Sequence, residues 1–197
     1  MRGHVIARLS ALLTIIVLLS ACPSAPSRVL PDITFVDRPK IGLDVARVEI
    51  VQRFQPALSD PYVDHLFPKE PASVIRRWAE DRLAARGPSG TATLIIVNAA
   101  VTEETLARDP GFRGLVTIEQ SERYEAEFAV RLEIDHPATR STGVSNALAR
   151  RSITVPENAS LAEREQIWFD LTENTIRDLD AKFEEEVTTG LPQFLAR

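Results

Sequence analysis

The chain predicts an α+β domain in two layers: a four-stranded, mainly antiparallel sheet with two helices packed on one face, in the order strand, helix, three strands, helix. Ser121 to Asp135 supplies the clearest sign. Tyr124, Ala126, Phe128, Val130, Leu132 and Ile134 alternate with Glu125, Glu127, Arg131, Glu133 and Asp135, the pattern of a sheet with one buried and one wet face. Residues 72–86 and 161–190 instead repeat apolar residues at a helical period. The 197 residues, 44% hydrophobic and 26% charged, suit one domain with a real core.

In chain order, Asp44 to Gln52 reads as the first strand, with Ala46, Val48 and Ile50 alternating against Arg47 and Glu49. Residues 54–71 are crossed by Pro56, Pro61, Pro68 and Pro71 and read as a loop carrying aromatic residues. Ala72 to Arg86 favours helix, with Val74, Ile75, Trp78 and Leu83 near one face and Gly87-Pro88 as the stop. Trp78 is expected to be a core anchor. Thr91 to Glu103 is rich in β-branched residues and apolar on both faces in its middle, so it reads as a central strand, with Asn98 a hydrogen-bonded sheet residue. The strand at 121–135 follows, and then a weaker one from Val144 to Val155, with His136 in the turn between them facing water. Ser160 and Glu163 have the spacing of a capping box. Behind them Leu161, Trp168, Leu171, Leu179, Phe183 and Val187 keep a helical period until Gly190 and Pro192. Glu184 to Glu186 oppose the helix dipole and are expected to form a solvated acidic end.

Ahead of this domain stands a different kind of segment. Arg2, His4 and Arg8 precede or edge an apolar run from Leu9 to Leu19, and the small residues Ser20 and Ala21 follow it. The run is shorter than the roughly 20 apolar residues of a membrane-crossing helix and ends like a cleavable signal. Residues 23–43, with Pro23, Pro26, Pro31 and Pro39 and no sustained period, read as an extended tether on which Ile33 to Val36 can dock as a short edge strand. The division is therefore signal 1–21, tether 22–43 and domain 44–197.

Cys22 is the only cysteine, so an internal disulfide is ruled out. Leu19-Ser20-Ala21-Cys22 resembles the lipobox of bacterial lipoproteins. The resemblance implies that the signal is removed just before Cys22 and that its sulfur carries a diacylglyceryl group, usually with an acyl group on the new amine. Several acyl chains anchor far more firmly than one, and a thioether sulfur is no longer a thiolate nucleophile. The implied place is the cell envelope, anchored to a membrane and facing the periplasm. Pro23 stands where an Asp would favour inner-membrane retention in the best-known sorting system, so the resemblance favours the outer membrane over the inner. By element order over residues 44–190, the body is similar to small α+β accessory lipoproteins of lipid-transport and lipopolysaccharide-assembly systems. That similarity implies a protein partner in the envelope and assigns no residue a role.

Charge and motifs narrow the chemistry. Removing residues 1–21 takes the net charge from −5 to −7, a balance that argues against nucleic acid as the main partner. No GxSxG, HExxH, P-loop or dinucleotide-binding pattern is present, and Glu103, Glu104, Glu122 and Glu125 read as solvated carboxylates. The expectation is a non-enzymatic protein without cofactor or metal. Phe112, Leu115 and Val116, in the turn-rich stretch 104–119, are the candidate contacts for a partner. The alternative is a tethered hydrolase or ligand-binding protein using Asp60, Asp64 and His65, a set that lacks the recognised zinc spacings.

Overall fold

The computed structural model describes residues 29–107 and 120–196. Six strands occur among them: β1 (Ile41–Leu43), β2 (Arg47–Gln52), β3 (Leu83–Ala85), β4 (Thr91–Thr105), β5 (Gln120–His136) and β6 (Ser141–Pro156). The helices are α1 (Pro71–Arg82) and α2 (Leu161–Gly190). The main sheet has the order β2-β4-β5-β6, parallel between β2 and β4 and antiparallel elsewhere. Parallel neighbours need a long crossover, which α1 supplies between β2 and β4. The expected α+β class, with two helices against a four-stranded and mostly antiparallel sheet, is what the chain forms.

Alternation places one side chain in two under the helices. Ala92, Leu94 and Ile96 of β4, the even-numbered residues from Tyr124 to Ile134 of β5, and Ala147 and Ala149 of β6 are all buried. The register of β4 against β5 slips between Ile96 and Asn98, so Ile96 and Ala99 both face inward while Val97 is 49% exposed. Asn98 sits at this bulge as a satisfied sheet residue, donating to Glu127 at 2.9 Å and accepting from the Ala100 amide at 3.1 Å.

The long helix α2 lies over β6 and β5, and α1 over β4. Its first turn is closed by the expected capping box, with Ser160 Oγ accepting from the Glu163 amide and the Glu163 carboxylate accepting from the Ser160 amide. The two helices meet at Trp78, fully buried and edge-on to Phe183 at 5.2 Å between ring centres. Beneath them lies a polar junction. Asp180, fully buried on α2, accepts hydrogen bonds from Trp78 Nε1 at 2.8 Å, from Arg82 Nε at 2.6 Å and from Arg38. Arg82, also fully buried, reaches on to Glu184 at 2.6 Å.

Three local readings differ. The helix expected over 72–86 ends at Arg82, because Leu83–Ala85 turn extended and pair in parallel with Ile41–Leu43. That partner lies some forty positions upstream, beyond the reach of a local period. Residues 41–43, read as tether, are therefore β1, and Ile33 and Phe35 are buried without forming a strand. The turn after β3 brings Gly87 against Asp44. A Cβ there would stand 2.2 Å from the Asp44 side chain and 2.5 Å from its backbone, so only glycine fits without movement. His136 is buried at the end of β5, its Nδ1 2.9 Å from Thr139 Oγ1, rather than facing water. Glu184, Glu185 and Glu186 form the expected solvated acidic end, and they are also paired: Glu184 with Arg82, and Glu185 and Glu186 with Lys182.

Replacing Asp180 by Ala would leave Arg82 buried with its strongest partner gone. Such a loss costs about 3–5 kcal/mol, and at roughly 2–4 °C per kcal/mol for a chain of this size the melting midpoint should fall by roughly 6–20 °C. A circular dichroism melt checks this; a shift no larger than that of an exposed Asp37→Ala change would mean the junction is not a structural pivot.

Candidate functional site

One end of the sheet gathers the features of interest. It is the end where the chain leaves β4 at Thr105 and re-enters at Gln120, with the Leu106 amide donating to the Ser121 carbonyl across the opening. Phe112, Leu115 and Val116 belong to the stretch between and lie outside the described residues, as does Cys22.

The start of α2 is fastened to this end by aromatic and charged groups. Trp168 stacks on Phe67 with ring centres 5.0 Å apart and meets Tyr124 edge-on at 5.6 Å. Arg164, one turn before Trp168 on the same helix face, donates to Glu122 at 2.7 Å and to the Tyr124 hydroxyl at 2.8 Å. Burial first, and then the hydrogen bond and negative charge of Glu103, push the Tyr124 phenol up to about 12 against the opposing pull of Arg164. The Trp168 indole N–H is buried and has no acceptor among the described residues.

Beside this cluster, a cavity of about 360 Å³ opens between the end of β6 and the first turns of α2. Pro156, Ala159, Ala162 and Ile167 give it apolar walls, with Asn158 and Gln166 at the polar margin. Its volume lies at the small end of ligand-binding clefts, which run from about 300 to 1,000 Å³.

The second candidate set does not converge. Asp60 and His65 are exposed, whereas Asp64 is buried at 1% exposure, at the start of the short 3-10 turn Asp64–Leu66. The segment before it pairs with the far half of β4: the Val63 amide donates to the Val101 carbonyl and the Glu103 amide to that of Pro61. Neither Asp64 carboxyl oxygen has a hydrogen-bond partner of good geometry among the described residues. Burial raises its pKa, against the weaker opposing influence of the Asp64 and Val101 amides. Among the described residues no group of three or more His, Cys, Asp or Glu side chains is placed to hold a metal ion.

Sequence reasoning singled out neither Tyr124, Arg164 nor the cavity residues as a group. The usable signal was the i,i+4 spacing of Arg164 and Trp168 just inside a capping box, which puts a cation and a large aromatic on one helix face.

No family model matches the chain, and no curated protein matches it. Among solved structures, rare lipoprotein B from Shewanella oneidensis is similar at 14% identity over 75% of this chain and 98% of that one, with a TM-score of 0.41. A minor lipoprotein from Acinetobacter baumannii is similar at 13% identity over 79% and 98%, with a TM-score of 0.35. A DUF330 protein from Xanthomonas campestris is similar at 10% identity over 84% and 96%, with a TM-score of 0.34. Likeness of this degree lends no residue role to this chain.

The Tyr124 shift has a pH consequence with a definite sign. The folded state holds the phenolic proton up to about 12, against 10.0 for the ordinary group, so the contribution is whole below pH 10.0 and is lost as the pH rises toward 12. The melting midpoint should fall over that interval, and less steeply in Tyr124→Phe. Identical slopes for the two proteins would show that Tyr124 does not titrate with unfolding.

Proposed function

We propose that this chain is a lipid-anchored protein of the bacterial cell envelope whose folded body binds a protein partner, without catalysing a reaction. The observation that carries the reading is Leu19-Ser20-Ala21-Cys22 at the end of a charged and then apolar leader. Cys22 takes the lipid, and the body faces the periplasm; Pro23 favours the outer membrane. The binding end is the one where β4 and β5 part, with Phe112, Leu115 and Val116 as contacts. Support for that placement comes from the neighbourhood: Tyr124, Trp168 and Arg164 make a firm platform, and functional loops are commonly held by rigid scaffolds of this kind.

The anchor is tested by feeding cells radiolabelled palmitate. The wild-type chain should take up label and Cys22→Ala should lose it; equal labelling of the two would sink the lipobox reading. The contact loop is tested by crosslinking in intact cells, purification from membranes and mass spectrometry. A Phe112→Ser, Leu115→Ser chain should recover its envelope partner at least about tenfold less well, a change of about 1.4 kcal/mol, with an unchanged melt. Undiminished recovery would move the contact elsewhere.

A further inference from the structure

The sheet has two outer strands, β2 and β6, and they are finished differently. An outer strand presents a row of unpaired N–H and C=O groups, and proteins normally blunt it by making it short, charged or proline-bearing. Only six residues long, β2 carries Arg47 and Glu49, paired with each other at 2.9 Å. By contrast β6 runs 16 residues, and from Ser141 to Ala149 it has neither a charged side chain nor a proline. No described residue pairs its backbone with the outer side of this strand.

The side chains along that stretch are arranged about a centre. On the face away from the helices, Val144 is 49% and Leu148 47% exposed, and they stand two residues either side of the exposed Asn146. On the helix-covered face, Gly143, Ser145, Ala147 and Ala149 are all small and buried.

We propose that β6 pairs antiparallel with β6 of a second copy of this chain, about a two-fold axis through Asn146, so that the sheet continues from one copy into the other. In this register Asn146 meets its counterpart, and Val144 and Leu148 of each copy meet Leu148 and Val144 of the other, two apolar cross-strand pairs in place of four half-exposed side chains. On the covered face Ser145 meets Ala147 and Gly143 meets Ala149. The charges also fit. Arg150 falls opposite Thr142, which within its own copy neighbours Asp135, and Arg151, held by Asp178 at 2.5 Å, falls opposite Ser141. No like charges face each other. Centring the axis on Leu148 instead would set Val144 against Ser152 and lose both mixed apolar pairs, and centring it on Arg150 would set two guanidinium groups together. The match of Val144 with Leu148 and the placement of Arg150 single out a second copy over an unrelated strand. The pairing concerns the folded body and does not rest on lipidation of Cys22.

Residues directly opposite in an antiparallel pair have Cα atoms about 4.5 or about 5.5 Å apart, within the span a disulfide accepts. The test uses the full chain in detergent with Asn146→Cys under mild oxidation, read on a non-reducing gel. A band at twice the chain mass is expected. Ser152→Cys, whose two copies would be roughly 40 Å apart at about 3.4 Å per residue, should stay single, and the wild-type chain reports any link through Cys22. Sedimentation of the unsubstituted protein should show a dimer, and Leu148→Lys, an exposed change that leaves the core intact, should weaken it at least tenfold. A monomer in sedimentation overturns the proposal, as does a folded Asn146→Cys chain that forms no dimer band. Preferential linking at Ser152, or capture of a different polypeptide at Asn146, overturns it equally.

Discussion

Asp180 ties three remote parts of the chain to one point. It is fully buried, and its carboxylate accepts from Arg38 in the segment before β1 and from Trp78 and Arg82 on α1, while its own backbone belongs to α2. A charge in that position is costly unless its lone pairs are filled, so the approach of α1 to α2 and the path of residues 33–40 must satisfy it together. Trp78 shows the consequence: its indole spends its one donor on Asp180 and its ring edge on Phe183, which fixes it in position and orientation. Arg82 then extends the junction to Glu184 near the end of α2. The helical layer is thus set by direction as well as by apolar contact, which would leave the helices freer to slide.

The sheet beneath is asymmetric in the same spirit. Its helix side is apolar from Tyr124 to Ile134 of β5 and almost free of bulk along β6, where Gly143, Ser145, Ala147 and Ala149 let α2 and its following turn lie close. At Gly143 a Cβ would stand 2.6 Å from the Phe194 ring, so the small residue is a condition of that approach. The opposite face carries exposed Val97, Val144 and Leu148 among charged groups that are largely tied up internally: Glu127 holds Asn98 and Arg150, Arg131 holds Glu133, and Arg47 holds Glu49. Such exposed pairs contribute about 0–1 kcal/mol each; their larger effect is to leave few free charges to define a ligand there. What remains open is structural, namely the loop end and the edge of β6.

The fold was legible because its determinants are local or periodic. The alternation of Tyr124 to Ile134, the capping box at Ser160 and Glu163, and the helical spacing from Trp168 to Val187 each appear within a short window, and each stands in the structure as written. Readings failed where a distant partner decided. Leu83 abandons a good helical pattern to pair with Ile41 of β1, and His136 is buried by its neighbours. The site was less legible for the same reason. Tyr124 reads as one more core residue of an alternating strand; its phenol is raised first by burial and then by Glu103, against the opposing pull of Arg164, and both partners arrive from other elements. Asp64 reads as a loop acid, and only the pairing of residues 61–63 with β4 buries it.

The burial of Ile33 and Phe35 and the pairing of β1 shorten the link between the body and the proposed anchor. A tether read as 22–43 would let the domain range widely, yet the chain is already against the domain at Ile33, with the Phe35 amide donating to Asp81 at 2.9 Å and Lys69 binding Asp32 at 2.6 Å. From a lipidated Cys22 to Asp32 the span is at most about 35 Å when fully drawn out, less than the roughly 45 Å length of α2. A body larger than its own leash cannot explore the space around the anchor freely. Anchoring at Cys22 would therefore restrict orientation as well as distance, and two copies on one membrane would meet within a limited range of angles. That restriction lowers the entropy lost when one copy's edge strand finds another's, so a pairing already made between the folded bodies in solution is strengthened further when both are held at a surface.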